Sequence, residues 1–199
     1  IMDNAKYFTS KEFTAHMSEF RQIQAFAGVG AHQQNAIAEH SIQTITSISR
    51  AMMIHAALHW PEVADSSLWP MAVKQATWLW NHMPNPSTGL SPSDIFTRSR
   101  YPLEKLHDVH VFGCPAYVLQ KTLADGKKLP RWKPRSAQCI YLGRADEYAS
   151  SVYSLLNLQS GSITPQFHVV MDDWFATVSS SAAALPDFNS PEWIEMFGK

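Results

Sequence analysis

The spacing of apolar residues changes character at Val109, and that change restricts the fold more than any other feature of the chain. Before it, apolar residues recur mainly at helical spacing. After it come short runs broken by Gly, Asp, Ser and Pro turns. Residues 109–120, 137–143, 152–158 and 163–171 read as strands. Closely spaced strands without intervening helices predict a small β-barrel. Pro165 is expected at a strand edge or bulge, where a missing N–H is tolerated. The junction between the two parts falls near residues 100–108.

The earlier part reads mainly as helices, with a strand end at Asp3 and one further short strand. Thr9 or Ser10 caps a helix to about residue 22, with Phe13, Met17 and Phe20 on one face. Residues 22–27 read as a short strand and Gly28-Val29-Gly30 as a loop. Asn35 suits the N-cap of a long helix to about residue 58. Ile37, Ile45, Ile48 and Met52 share one face of it, and Glu39, Gln43, Thr46 and Arg50 the other. Glu39 is thus in the first turn, near the positive helix end. Asp65, Ser66 or Ser67 caps a second long helix, which Pro70 fits only in its first turn. Trp69, Val73, Ala76, Trp80 and Met83 form its apolar stripe, expected as core or helix interface, and Pro84 ends it. Ser91 and Pro92 begin a short helix to about residue 97. Residues 179–187 read as a linker or tail.

The 199 residues, 45% hydrophobic, suffice for one large or two small packed domains. A net charge of −1 argues against a general polyanion binder. Yet seven of the 16 Lys and Arg residues lie in one stretch: Lys121, Lys127, Lys128, Arg131, Lys133, Arg135 and Arg144. Asp125 is its single acid, so this region can meet phosphates. Trp132, between Arg131 and Lys133, suits packing on the barrel better than stacking on a base. Cys114 and Cys139, without a CxxC word, read as buried thiols in a reducing compartment. No apolar run is long enough to span a membrane. Ile1-Met2-Asp3 reads as the end of a strand cut from a longer protein. His16, His32 and His40 fit no metal-ligand spacing, and no Gly-x-Ser-x-Gly word supports a hydrolase.

Two carboxylates stand out. Thirty-five residues lie between Asp3 and Glu39. An order of strand, helix, strand, loop, helix can bring a strand-end acid beside a helix-borne one. Such a pair can hold divalent ions for phosphoryl transfer. Gln33, Gln34 and Asn35, just before Glu39, suit hydrogen bonds to DNA or simple loop capping.

The surrounding words resemble the integrase region of copia-type (Pseudoviridae-like) LTR retrotransposon polyproteins. They are Asp3-Asn4-Ala5, Gln33-Gln34-Asn35-Ala36-Ile37-Ala38-Glu39, Leu68-Trp69-Pro70-Met71-Ala72, Trp78-Leu79-Trp80-Asn81-His82-Met83-Pro84, Ser91-Pro92-Ser93-Asp94-Ile95-Phe96 and Val111-Phe112-Gly113-Cys114-Pro115-Ala116-Tyr117-Val118. Their order and spacing cover roughly residues 1–175. The resemblance implies an α/β part and then an all-β part. Residues 1–105 would be the C-terminal part of an RNase H-like integrase core, 108–175 an SH3-like β-barrel and 176–199 a tail. It implies a D,D-35-E triad in which Asp3 is the second carboxylate and Glu39 the third, holding Mg²⁺ or Mn²⁺. The first aspartate and a His/Cys zinc-binding domain would lie upstream. The whole protein would join element DNA 3′ ends to target DNA, as a homo-oligomer in the nucleus or a cytoplasmic particle. The fragment alone is expected to be inactive. Expected DNA contacts are Gln33, Gln34, Asn35, Gln43, Arg50, Lys127, Lys128, Arg131, Lys133 and Arg135.

The chain departs from the family words in places. Ala5 and Ala36 stand where glycine is common, and His40 where arginine is. Gln43 and Thr46 occupy places often basic, leaving Arg50 as the one cation on that face. The alternative reading is a non-catalytic DNA-binding or protein-interaction module from a decayed transposon. The 69–83 stripe would then serve an oligomer interface.

Overall fold

Ser10 opens the first helix in the computed structural model, which describes residues 5–26, 28, 36–100, 106, 108–120, 123, 125–179, 187 and 189–197. Its hydroxyl accepts from Phe13 N at 3.2 Å, and α1 runs Lys11–Glu19. The helix stops short of residue 22 because Arg21 takes a φ of 52°, a left-handed conformation that cannot continue a right-handed helix. Tyr7, Phe8 and Phe13 cluster at centroid distances of 5.3–5.4 Å. The strand expected over 22–27 does not form within the described residues. Residues 22–25 are irregular and Phe26 makes an isolated bridge, which gives an extended segment no ladder.

The second helix, α2, runs Ala36–His59. The division between two compact units, Ile1–Thr44 and Ile45–Lys199, falls within it. Its apolar face is not the expected one. Ile37 is 85% exposed and Ile45, Ile48 and Met52 are half-buried, whereas Ser49, Met53, Ala56 and Ala57 are buried. Small side chains account for this. A Cβ added to Gly113 would lie 2.8 Å from Ala56 Cβ, so helix and β-domain backbone meet at close range. Trp60, just past the helix, donates from Nε1 to Gly113 O at 2.7 Å and fixes the approach.

Asp65 accepts from Ser67 N at 2.8 Å and starts a 3₁₀ turn over Ser66–Leu68. This leads into α3, Trp69–His82, with Pro70 in its first turn. The stripe differs in part from the expected one. Ala76 is buried and Val73 and Trp80 are half-buried as expected, but Ala72 and Gln75 are also buried, and Trp69 and Met83 are exposed. Alanines again allow the closest packing, and the large rings fall outside that face. The short helix α4, Pro92–Thr97, begins as expected with Ser91 as cap.

The later part is an antiparallel sheet: β1 Pro115–Leu119, β2 Ser136–Arg144, β3 Tyr153–Asn157, β4 Ile163–Gln166 and β5 Val169–Met171. Its order is β4-β3-β2-β1-β5, an open sheet with β4 and β5 at the edges. Pro165 lies on edge strand β4, opposite Ser154. Only Phe167 and His168 lie between β4 and β5. Such a link spans about 11 Å at most, whereas the outer strands of a flat five-stranded sheet stand about 19 Å apart. The sheet must therefore roll.

Both sheet faces are covered. Ile140, Leu142 and Leu156 pack with Met53, Ala56, Ala57, Trp60, Leu68 and Ala72. Cys139, Tyr141 and Leu155, which alternate with them along β2 and β3, pack with Cys114, Ala116, Val118 and Phe175. One hydrophobic core thus joins residues on both sides of the 100–108 junction. A last helix, α5 (Pro191–Phe197), adds Trp193 to the first of these clusters. Among the described residues, no helix is long and apolar enough to cross a membrane.

Candidate nucleic-acid interface

The connection from β1 to β2 carries five of the expected contact residues. Its base is closed where Gln120 N donates to Arg135 O at 2.9 Å. Two prolines, Pro130 and Pro134, frame its tip. Lys133 N donates to Pro130 O at 3.0 Å, so Arg131 and Trp132 occupy the centre of a four-residue turn. Lys127, Lys128, Arg131, Lys133 and Arg135 are all exposed. Among the described residues, none of the five forms an ion pair. Trp132 is 93% exposed, so it does not pack on the sheet. The loop presents several solvated cations beside one indole face. That arrangement can neutralise backbone phosphates, and the ring can stack on an unpaired base. Lys121 lies outside the described residues.

The expected carboxylate site is described only in part. Asp3, Gln33, Gln34 and Asn35 lie outside the described residues. Glu39 is exposed in the first turn of α2, and Gln43 is exposed one turn later on the same face. Arg50 is also exposed on α2. Among the described residues, no three His, Cys, Asp or Glu side chains come together as a metal-binding group. Glu39 supplies the hard oxygen donors that suit Mg²⁺ or Mn²⁺.

Cys114, Asp173 and His110 meet near the start of β1, but not as a nucleophilic site. Asp173 Oδ2 lies 2.9 Å from His110 Nδ1, and Asp173 Oδ1 accepts from Val111 N at 2.8 Å. Burial, and then the Asp173 charge, push the Cys114 thiol far up. A thiol kept protonated beside a carboxylate is a poor nucleophile. Asp173 instead ties the segment after β5 to the approach to β1. Next to it, Asp172 accepts from Thr177 Oγ1 and N, which holds its carboxyl below the ordinary range. The same turn puts Phe175 at a φ of 54° and stacks it on His59, 4.1 Å between centroids.

Sequence reasoning passed over a second polar group, formed by Lys74, Gln75 and Trp78 on α3 with Arg144 and Asp146 at the end of β2. Its signal was Gln75, a polar residue one position before Ala76 in a helix otherwise read for its apolar stripe. No protein-family model matches this sequence, and no curated protein matches it significantly.

Proposed function

We propose that this chain is a fragment of a copia-type retrotransposon integrase, with part of an RNase H-like core followed by an SH3-like barrel. The observation that carries the reading is the exposed basic loop, with Arg131 and Trp132 at its tip. The ordered words from Asp3 to Val118 resemble that family's, and the rolled sheet suits a small barrel. In this reading Lys127, Lys128, Arg131, Lys133 and Arg135 hold DNA by its phosphates. Gln33, Gln34, Asn35, Gln43 and Arg50 add further DNA contacts. Asp3 and Glu39 hold the divalent ions. Bound there, Mg²⁺ would activate the DNA 3′-hydroxyl and offset charge at the phosphorus centre and leaving oxygen. Glu39 supplies carboxylate oxygens from a helix start. The whole protein acts as a homo-oligomer on element ends and target DNA, in the nucleus or a cytoplasmic particle.

A second reading, a non-catalytic DNA-binding module, is favoured by one observation. The face bearing Glu39 continues with Gln43 and Thr46, and only Arg50 is cationic. Weak phosphate grip beside the carboxylates suits a chain that binds without joining.

Binding of the 199-residue chain to duplex DNA tests the basic loop in both readings. With five phosphate contacts, log K should fall against log salt with a slope of about −4 to −5. Arg131→Ala or Lys133→Ala should each reduce that slope by about 1. Salt-independent binding, or none, removes the loop from DNA contact.

A further inference from the structure

The cleft between α3 and the end of β2 has a volume of about 310 Å³, near the lower limit for small-molecule sites. Two of the residues lining it carry hydrogen-bond donors that are buried without a partner: Gln75 Nε2 and Arg144 Nη1. Gln75 is only 2% exposed. An unpaired buried donor is costly, so two in one cleft call for an explanation.

Local structure holds both residues in place. Tyr141 pairs with Leu155 and Arg144 with Tyr153, so β2 holds one extra residue there, a β-bulge. Gly143 sits in the bulge at a φ of 118°, and a Cβ there would lie 3.0 Å from Gln75 Oε1. Strand backbone and glutamine therefore approach closely. The bulge turns Arg144 towards α3. Arg144 Nη2 donates to Ser150 O at 2.8 Å, and the guanidinium carbon stands 5.1 Å from the Trp78 ring centre. His82 stacks on that same indole at 4.1 Å. Arg144 is thus held by a carbonyl and a ring, while Nη1 remains unpaired. Lys74 pairs with Asp146 at 2.7 Å across the rim. Lys74 and Arg144 against Asp146 leave one net positive charge.

We infer that this cleft binds an oxyanion, a phosphate or carboxylate group that accepts from Gln75 Nε2 and Arg144 Nη1. An acceptor with several lone pairs satisfies both donors at once, and its negative charge matches the surplus cation. The guanidinium is ordered before the ligand arrives, so binding costs little further side-chain entropy. The inference does not rest on the DNA-joining reading.

The test is nuclear magnetic resonance of the full chain, following the Gln75 side-chain amide and the Arg144 guanidinium signals. Inorganic phosphate, acetate and a short single-stranded oligonucleotide are titrated separately at constant ionic strength. Saturable movement of both signals is expected. Gln75→Leu and Arg144→Lys should each weaken binding about tenfold, the effect of losing one hydrogen bond to a charged acceptor. Gln75→Leu should also raise Tm, because it removes a buried donor without a partner. A structural role for the amide would lower Tm instead. Response to phosphate or acetate marks a free anion as the source, and response to the oligonucleotide alone marks a backbone phosphodiester. The inference is overturned if none of the three probes moves these signals, or if both variants bind as tightly as the parent chain.

Discussion

Gly113 shows how much one residue can decide here. Its φ of 85° is left-handed, and an added Cβ would press on Ala56. Gly113→Ala should therefore cost about 2–4 kcal/mol, the sum of a conformational penalty and overpacking. Denaturant unfolding measures it, and a loss below 0.5 kcal/mol (the ordinary range of surface changes) would show that helix and sheet can move apart freely. His59 sets a pH dependence. Burial, and then the neighbouring charge of His55, lower its pKa from the ordinary 6.5. The unfolded chain then takes up the proton first. As pH falls below 6.5, stability should decline, and above it this contribution should be flat. Tm measured against pH should show that decline in the parent chain and less of it in His59→Gln. An equal decline in both would assign it to other groups. Neither effect was legible in the sequence. Gly113 was visible as a glycine in a family word, but its need for close approach depends on Ala56, far away in the chain.

At the scale of elements, caps and turns were readable because their physics is local. Ser91 and Asp94 were separated by a helical first turn, and they form a reciprocal capping box: Asp94 N donates to Ser91 Oγ at 3.1 Å and Ser91 N to Asp94 Oδ2 at 2.9 Å. Ser91→Ala should cost about 1 kcal/mol, up to about 2 for a buried cap, as a shift in denaturant midpoint. No shift would mean that Pro92 and packing alone fix the helix start. The faces of α2 and α3 were less readable. Counting large apolar residues selected Ile37 and Trp69, which are exposed, over Ala56 and Ala72, which are buried. Periodicity locates a stripe, but the depth of contact is set by the partner surface. The run 109–120 holds a strand only over Pro115–Leu119, but the segments at 137–143 and 152–158 were legible from period 2 and turn residues. The break between β4 and β5 was not, because residues 163–171 read as one run and the edge each half joins is a tertiary matter.

For the molecule as a whole, the pattern of helices followed by antiparallel strands was legible, and the proposed function rests on a resemblance of words in order. The basic loop stood out as charge density, while its exposure had to come from the fold. The two-carboxylate reading makes a claim about the complete protein. Glu39→Gln in a version extended upstream should abolish strand transfer and leave Tm unchanged, since Glu39 is exposed. Retained joining would remove Glu39 from the metal site. The short link between the two edges of the sheet also governs how such a chain is made. Ala116 pairs with Met171, so the outer side of β1 waits for a strand made after the other four. Until that strand emerges, β1 offers an unpaired edge to any neighbouring nascent chain. Ribosome stalling just after β4 would therefore favour aggregation, and release of β5 would end that exposure.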